Sequence, residues 1–112
     1  MVNALGQIAD VPVLIIGDMV ADIYLDGAIS RISREAPVLV LEQKEERVVA
    51  GGAANVAGNA ATLGGTSYAV GVCGTDISGD ALLAVLEKNG VHTESFIRVA
   101  EYPTITKTRI IA

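Results

Sequence analysis

Tryptophan is absent from this 112-residue chain, and phenylalanine, histidine and cysteine occur once each. With three tyrosines the aromatic share reaches only 4%, so the core must be built from aliphatic and small side chains. A single cysteine excludes a disulfide framework, and Cys73, set among apolar residues, reads as a small core residue in a reducing compartment. His92, without a Cys or His cluster, gives neither a zinc pattern nor a Ser-His-Asp set. No run approaches the roughly 18 apolar residues of a membrane-spanning helix. Val11 to Gly17 is short and bracketed by Asp10 and Asp18. The N-terminus lacks the basic segment before an apolar stretch that a secretory signal requires. Positive charge is also scarce, with eight Lys and Arg against 13 Asp and Glu and a net charge of −5. That balance disfavours nucleic acid or an anionic membrane as partner.

Aliphatic residues and glycine are abundant. Hydrophobic residues make up 51% of the chain, charged residues 19%, and mean hydropathy is +0.48. This is apolar for one small domain. Either its elements are buried on several sides, or the chain is part of a larger α/β domain and carries an apolar face. The ending Ile110-Ile111-Ala112, inside what reads as a strand, agrees with the second expectation.

Val11 to Asp18 reads as a short parallel strand covered on both faces. From Asp22 to about Val49 the pattern predicts two or three half-exposed strands, a small β-element apart from the main sheet. A helix is expected from Ala53, with Val56, Ala60 and Leu63 facing inward and Gly64-Gly65 ending it. Tyr68 to Cys73 is the next buried strand. Asp76 is placed to cap a helix over about Ser78 to Lys88 whose inner face carries Leu82, Val85 and Leu86. Ser95 to Val99 and Thr104 to Ile111 read as further strands, the last joining the β-element. The order is that of an α/β chain with right-handed crossovers and an inserted β-flap.

The stretch Ala50-Gly51-Gly52-Ala53-Ala54-Asn55-Val56-Ala57 puts two glycines at the mouth of a helix. Such a loop can approach a ligand closely, and the helix offers unpaired N–H groups behind it; a tight packing turn is the other reading. Asp18 lies at the carboxyl end of the first strand, where open α/β sheets bind ligands, and Asp22 follows. Two carboxylates there suit vicinal hydroxyls, because ionised carboxylates only accept hydrogen bonds and polyols donate many; turn capping is the alternative. Asn55 can donate and accept at one hydroxyl, or cap locally. Lys107 and Arg109 share one face of the last strand and suit a phosphate, or form a solvated face. Arg31 and Arg34 read as solvated. No G-x-x-x-x-G-K-[ST] phosphate loop and no G-x-G-x-x-G dinucleotide turn is present.

The run Gly51 to Ala57, followed at fixed spacing by Gly64 and Gly74, resembles the N-terminal signature of the ribokinase-like carbohydrate kinases, the PfkB family. Gly74-Thr75-Asp76 with Gly79 resembles the family's turn after its second main strand. Gly17-Asp18, Ser30 to Ser33, Glu35 to Val38 and Pro103 to Arg109 look similar to the kinase domain of the bifunctional heptose kinase/adenylyltransferases of ADP-heptose synthesis. Arg34 stands where that group often has proline, and Met19-Val20-Ala21 also departs from it.

The resemblance implies a Rossmann-like, ribokinase-like sheet with helices and an inserted β-lid. Residues 1–112 would be the N-terminal part of the kinase domain, with lid elements at about 22–49 and 104–112. It implies ATP- and Mg²⁺-dependent phosphorylation of a heptose 7-phosphate at its anomeric hydroxyl in the cytoplasm. A fructose or ribose kinase, or a sugar-binding or dimerising remnant, are the alternatives. Asp18, Asp22, Gly51, Gly52 and Asn55 would hold the sugar, Lys107 and Arg109 its phosphate, and the lid would close over it and pair with a second subunit. The family's Gly-Ala-Gly-Asp catalytic motif does not occur in these 112 residues, so no catalytic residue is assigned, and the chain alone is expected not to transfer phosphate.

Overall fold

Glycine turns and short apolar runs divide the chain into many small elements. The computed structural model describes residues 2–112. In chain order these form α1 (Val2–Ile8), β1 (Pro12–Ile16), β2 (Met19–Ile32), β3 (Leu39–Gly52), α2 (Ala53–Thr62), β4 (Thr66–Val70), β5 (Val72–Gly74), α3 (Ile77–Lys88), β6 (Ile97–Val99) and β7 (Thr106–Ile111). The expected α/β arrangement with an inserted β-flap is present. No helix among the described residues is long and apolar enough to cross a membrane.

β1 pairs in parallel with β4, Pro12 facing Thr66 and Ile16 facing Val70. At Gly71 the chain changes partner, and β5 pairs in parallel with β6. A β-carbon at Gly71 would meet Met19 Cγ at 2.5 Å and Phe96 Cζ at 3.2 Å. The expected single strand from Tyr68 to Cys73 is therefore two, divided where the backbone presses on Met19. The third sheet has the order β3-β2-β7, with β3 antiparallel and β7 parallel to β2. The β-element thus contains two long strands of 14 residues each, joined as expected by the last strand. At about 3.3 Å per residue each spans roughly 45 Å, most of the molecule's 60 Å length.

Met19, Ala21, Ala50, Ala54, Ala57, Ala69, Leu82, Leu86 and Val91 form the core. The α3 face is the expected one, with Leu82 and Leu86 buried and Val85 packed beside them. The α2 face differs from expectation. Ala54, Ala57 and Gly58 are buried, while Val56 and Leu63 are 52% and 55% exposed. The helix lies so close to β4 that the Ser67 hydroxyl donates to the Ala57 carbonyl at 2.8 Å, and only small residues fit such an approach. β1 also departs from expectation, because Leu14 and Ile16 remain 60% and 70% exposed, so one of its faces is uncovered. α1 was not foreseen in the sequence.

Candidate functional site

Asp18 stands just before β2 and Asp22 within it, two glycines close the partner strand β3, and each glycine packs against one of these residues. The register sets Val20 opposite Gly51 and Met19 opposite Gly52. A β-carbon at Gly51 would stand 2.6 Å from Asp22 Oδ2 and 2.8 Å from its Cγ. The Asp22 carboxylate therefore fills the space that any side chain at position 51 would need. Gly52 has φ +58 and ψ −134, a conformation open to glycine and costly for other residues. A β-carbon there would lie 2.6 Å from the Asp18 carbonyl oxygen. That carbonyl accepts the Ala53 N–H at 2.9 Å. No side chain caps α2; Ala54 is fully buried, so it is the N–H of exposed Asn55, without a partner inside the helix, that suits an acceptor oxygen from outside.

A cleft of about 240 Å³ opens at the carboxyl ends of β1 and β4, bordered by Ile16, Gly17, Asp18, Met19, Val70 and Gly71. Asp18 is exposed there, and Asp22 is half-buried beside Gly51. Asn55, also exposed, borders a separate depression of about 340 Å³ shared with Asn59, Lys88 and Asn89. Of the expected sugar-holding residues only Asp18 borders the cleft; Asp22 packs on Gly51, Gly52 packs on the Asp18 main chain, and Asn55 stands at the edge of a second hollow.

β7 adds the cations. Lys107 is the register partner of Asp22, and Arg109 that of Tyr24. Asp22, Tyr24, Lys107 and Arg109 accordingly share one face of the β3-β2-β7 sheet. The opposite face, with Ala21 and Ala50, joins the core. Arg109 donates from Nη1 to the Tyr24 hydroxyl at 2.7 Å.

Two acids, a double-glycine turn over a helix N-terminus, and a cationic strand beside them suit a polyol carrying an anionic group. A profile of the pfkB family carbohydrate kinases matches residues 12–112. The chain belongs to this family. Among curated relatives, the bifunctional protein HldE of Magnetococcus marinus is 46% identical over 99 residues, 88% of this chain and 20% of the relative. The HldE protein of Azotobacter vinelandii is 48% identical over 103 residues, 90% of this chain and 21% of the relative. This pfkB-family chain thus spans about a fifth of the length of those relatives. Among solved structures, Arabidopsis thaliana ribokinase complexed with ribose and ATP superposes with a TM-score of 0.69 at 30% identity, covering 91% of this chain and 32% of the other. A carbohydrate kinase from Agrobacterium tumefaciens gives 0.73 at 20% identity over 89% and 31% of the two chains, which shows the shared ribokinase-like fold.

The turn Gly74-Thr75-Asp76 of this pfkB-family member is a structural clasp whose central partner was not foreseen. Asp76 caps α3 as expected, with Oδ1 accepting the Gly79 N–H at 2.8 Å. The same oxygen accepts the Thr104 hydroxyl at 2.6 Å, and Oδ2 accepts the Thr104 N–H at 3.1 Å. The Thr104 oxygen in turn accepts the Gly74 N–H at 2.9 Å. These bonds, led by the Thr104 hydroxyl, hold the Asp76 carboxyl below its ordinary pKa. Arg98 closes the knot by donating from Nη2 to the Gly74 carbonyl at 2.8 Å and to Asp80 at 2.7 Å. Burial pushes the nearby Cys73 thiol up, opposed by Arg98, as fits a core residue rather than a nucleophile. Thr104 is buried and stands two residues before β7, so the clasp fixes where the cationic strand begins. A threonine 28 residues from its partner gives no local sequence signal.

Proposed function

We propose that this chain forms the sugar-holding floor and lid of an ATP-dependent kinase that phosphorylates D-glycero-D-manno-heptose 7-phosphate at C1, in ADP-heptose synthesis in the cytoplasm. The observation that supports this reading is that Gly51 packs against the Asp22 carboxylate and Gly52 against the Asp18 main-chain carbonyl at the start of α2, which keeps both acids next to the double-glycine turn. In this reading Asp18 and Asp22 accept hydrogen bonds from sugar hydroxyls, and Asn55 adds a contact if its side chain turns toward the cleft. Lys107 and Arg109, on the Asp22 face, hold the 7-phosphate as charge-assisted donors. That cationic face favours a phosphorylated sugar over free ribose or fructose.

Among the described residues no group of three or more His, Cys, Asp or Glu side chains converges as a metal site. No step through Mg²⁺ or ATP is therefore assigned to them. The chain's own part is to bind and orient the sugar and, by lid closure, to exclude water from the transfer. In-line transfer also needs groups that neutralise developing charge on the phosphoryl oxygens, so the 112-residue chain by itself should show no turnover with heptose 7-phosphate and Mg-ATP. The exposed Ile29, Ile32, Val38 and Leu39 of the hairpin support pairing of two lids in a homodimer, which sedimentation would detect.

A chimera tests the substrate. The matching N-terminal segment of Azotobacter vinelandii HldE is replaced by this chain, and kinase rates are compared for heptose 7-phosphate, ribose and fructose. The expected result is preference for heptose 7-phosphate, with a loss of at least about 100-fold in Asp22→Asn. A folded chimera that prefers an unphosphorylated sugar would overturn the assignment.

A further inference from the structure

Tyr24 stands in the central lid strand between two guanidinium groups. From β3, Arg47 brings Cζ to 4.9 Å from the centre of the Tyr24 ring, and from β7, Arg109 brings Cζ to 5.4 Å. Both are register partners of Tyr24. Lys107 lies two residues before Arg109 on the same face. Two cations thus flank one ring, with Lys107 further along the same face, and two carboxylates share that face: Asp26, 3.5 Å from Arg47 Nε, and Asp22, the register partner of Lys107. Arg109 takes part in no salt bridge among the described residues, so its charge is open to an anion.

The hydrogen-bond inventory leaves room for that anion. Arg109 uses Nη1 on the Tyr24 hydroxyl and retains donors on Nε and Nη2. Arg47 uses Nε toward Asp26 and retains both terminal nitrogens. A tyrosine hydroxyl that accepts from arginine still has its own O–H to donate. These open donors are the fork-shaped partners that a phosphate monoester takes. Tyr24 is two residues from Asp22, about 7 Å along the strand, on the same face. That separation matches a sugar ring at Asp22 with a phosphate at the far end of its side chain.

We propose that Tyr24 is a positioning residue that holds Arg47 and Arg109 as a paired seat for the terminal phosphate of the sugar, with Arg47 as a contact beyond Lys107 and Arg109. The inference rests on the sugar-kinase reading above. Tyr24 acts through its ring, which fixes both guanidinium planes by cation–π contact, and through its hydroxyl, which aims Arg109. Discrimination between phosphorylated and unphosphorylated sugar then resides in Arg47, Tyr24 and Arg109 rather than in Asp18 and Asp22.

Two measurements on the full chain test this. In the first, inorganic phosphate is titrated while the arginine Nε–Hε resonances are followed by NMR. Arg47 and Arg109 should shift together with one affinity, and Tyr24→Leu should uncouple them. In the second, calorimetry gives the ratio of affinities for heptose 7-phosphate and the unphosphorylated heptose. Arg47→Gln and Tyr24→Leu should each lower that ratio about tenfold, and Tyr24→Phe, which keeps the ring, should lower it less. If both sugars bind and the ratio does not move, the seat is wrong and the sugar reading stands. If neither sugar binds while phosphate still shifts both arginines, the sugar reading is wrong and the seat stands. Phosphate shifts confined to Arg109 would remove Arg47 from the proposal.

Discussion

Around α2 and α3, Ala54, Ala57, Ala69, Leu82 and Leu86 are fully buried, whereas on the outer half of the β2–β3 hairpin Ile29, Ile32, Val38 and Leu39 are 53% to 66% exposed. Both regions carry large aliphatic residues, so the presence of such side chains does not by itself separate them. The difference lies in what holds each in place. The helical base is fixed by close packing of small side chains, in which one methyl group matters. The hairpin is held by its backbone ladder, with register shifts at Asp26/Gly27 and Ile29/Arg31, and its side chains contribute little burial. The candidate site lies at the junction, where the chain passes from Asp18 to Asp22 out of the base and into the hairpin. This contrast suits the lid closure proposed above.

Leu82→Ala probes the packed side of this contrast. Its side chain has no exposure, so the substitution should cost about 2–5 kcal/mol in urea unfolding. A loss as small as that of a hairpin substitution would break the comparison.

Gly52→Ala tests the junction. The backbone at φ +58 and ψ −134 should alone cost another residue about 1–3 kcal/mol, and the contact with the Asp18 carbonyl adds to it. Calorimetry should show sugar affinity falling with stability, since both depend on the same turn. Unchanged affinity would separate the turn from the site.

Thr104→Val tests whether the base controls the lid. It removes the hydroxyl that donates to Asp76 and accepts from Gly74. A loss smaller than that of Leu82→Ala is expected, with hydrogen exchange rising in β7 more than in α3. Equal exchange in both elements would mean that the clasp does not single out the lid strand.

The pH dependence of Asp76 sharpens the same point. Its folded pKa lies below the ordinary 3.8, chiefly through the Thr104 hydroxyl. Its stabilisation is therefore fully present above that ordinary value and is lost as pH falls through the folded one. The urea midpoints of the unsubstituted chain and Asp76→Ala should differ at pH 7 and converge on acidification below about pH 4. A difference that persists unchanged into acid would assign the effect to packing.

The smallest effect should come from Ile32→Ala at the hairpin tip, where the side chain is 66% exposed. Under about 0.5 kcal/mol is expected in dilute monomer. A larger loss that grows with protein concentration would show that lid pairing buries this residue.

Features with a local chemical cause could be read from the sequence. Gly51-Gly52 before a run of alanines marks a turn into a closely packed helix. Asp76 three residues before Gly79 marks a helix cap, and Leu82, Val85 and Leu86 mark one helical face. The inner face of α2 was misread because Val56 and Leu63 are its large apolar residues, whereas the approach of Ser67 to the Ala57 carbonyl admits only alanine and glycine. Asp18 and Asp22 were legible as candidate ligands, but their separate pairing with Gly52 and Gly51 was not.

The sequence by itself determined the family, the Asp76 helix cap and the glycine turn, because each is carried by particular residue types at fixed spacings along the chain. Only the tertiary structure decided that Thr104 ties β7 to Asp76, that the strand breaks at Gly71 against Met19, and that Arg47 and Arg109 meet across Tyr24. Those contacts join residues 23 to 85 positions apart. Strand register and backbone approach create them, and neither is written in any local pattern of side chains.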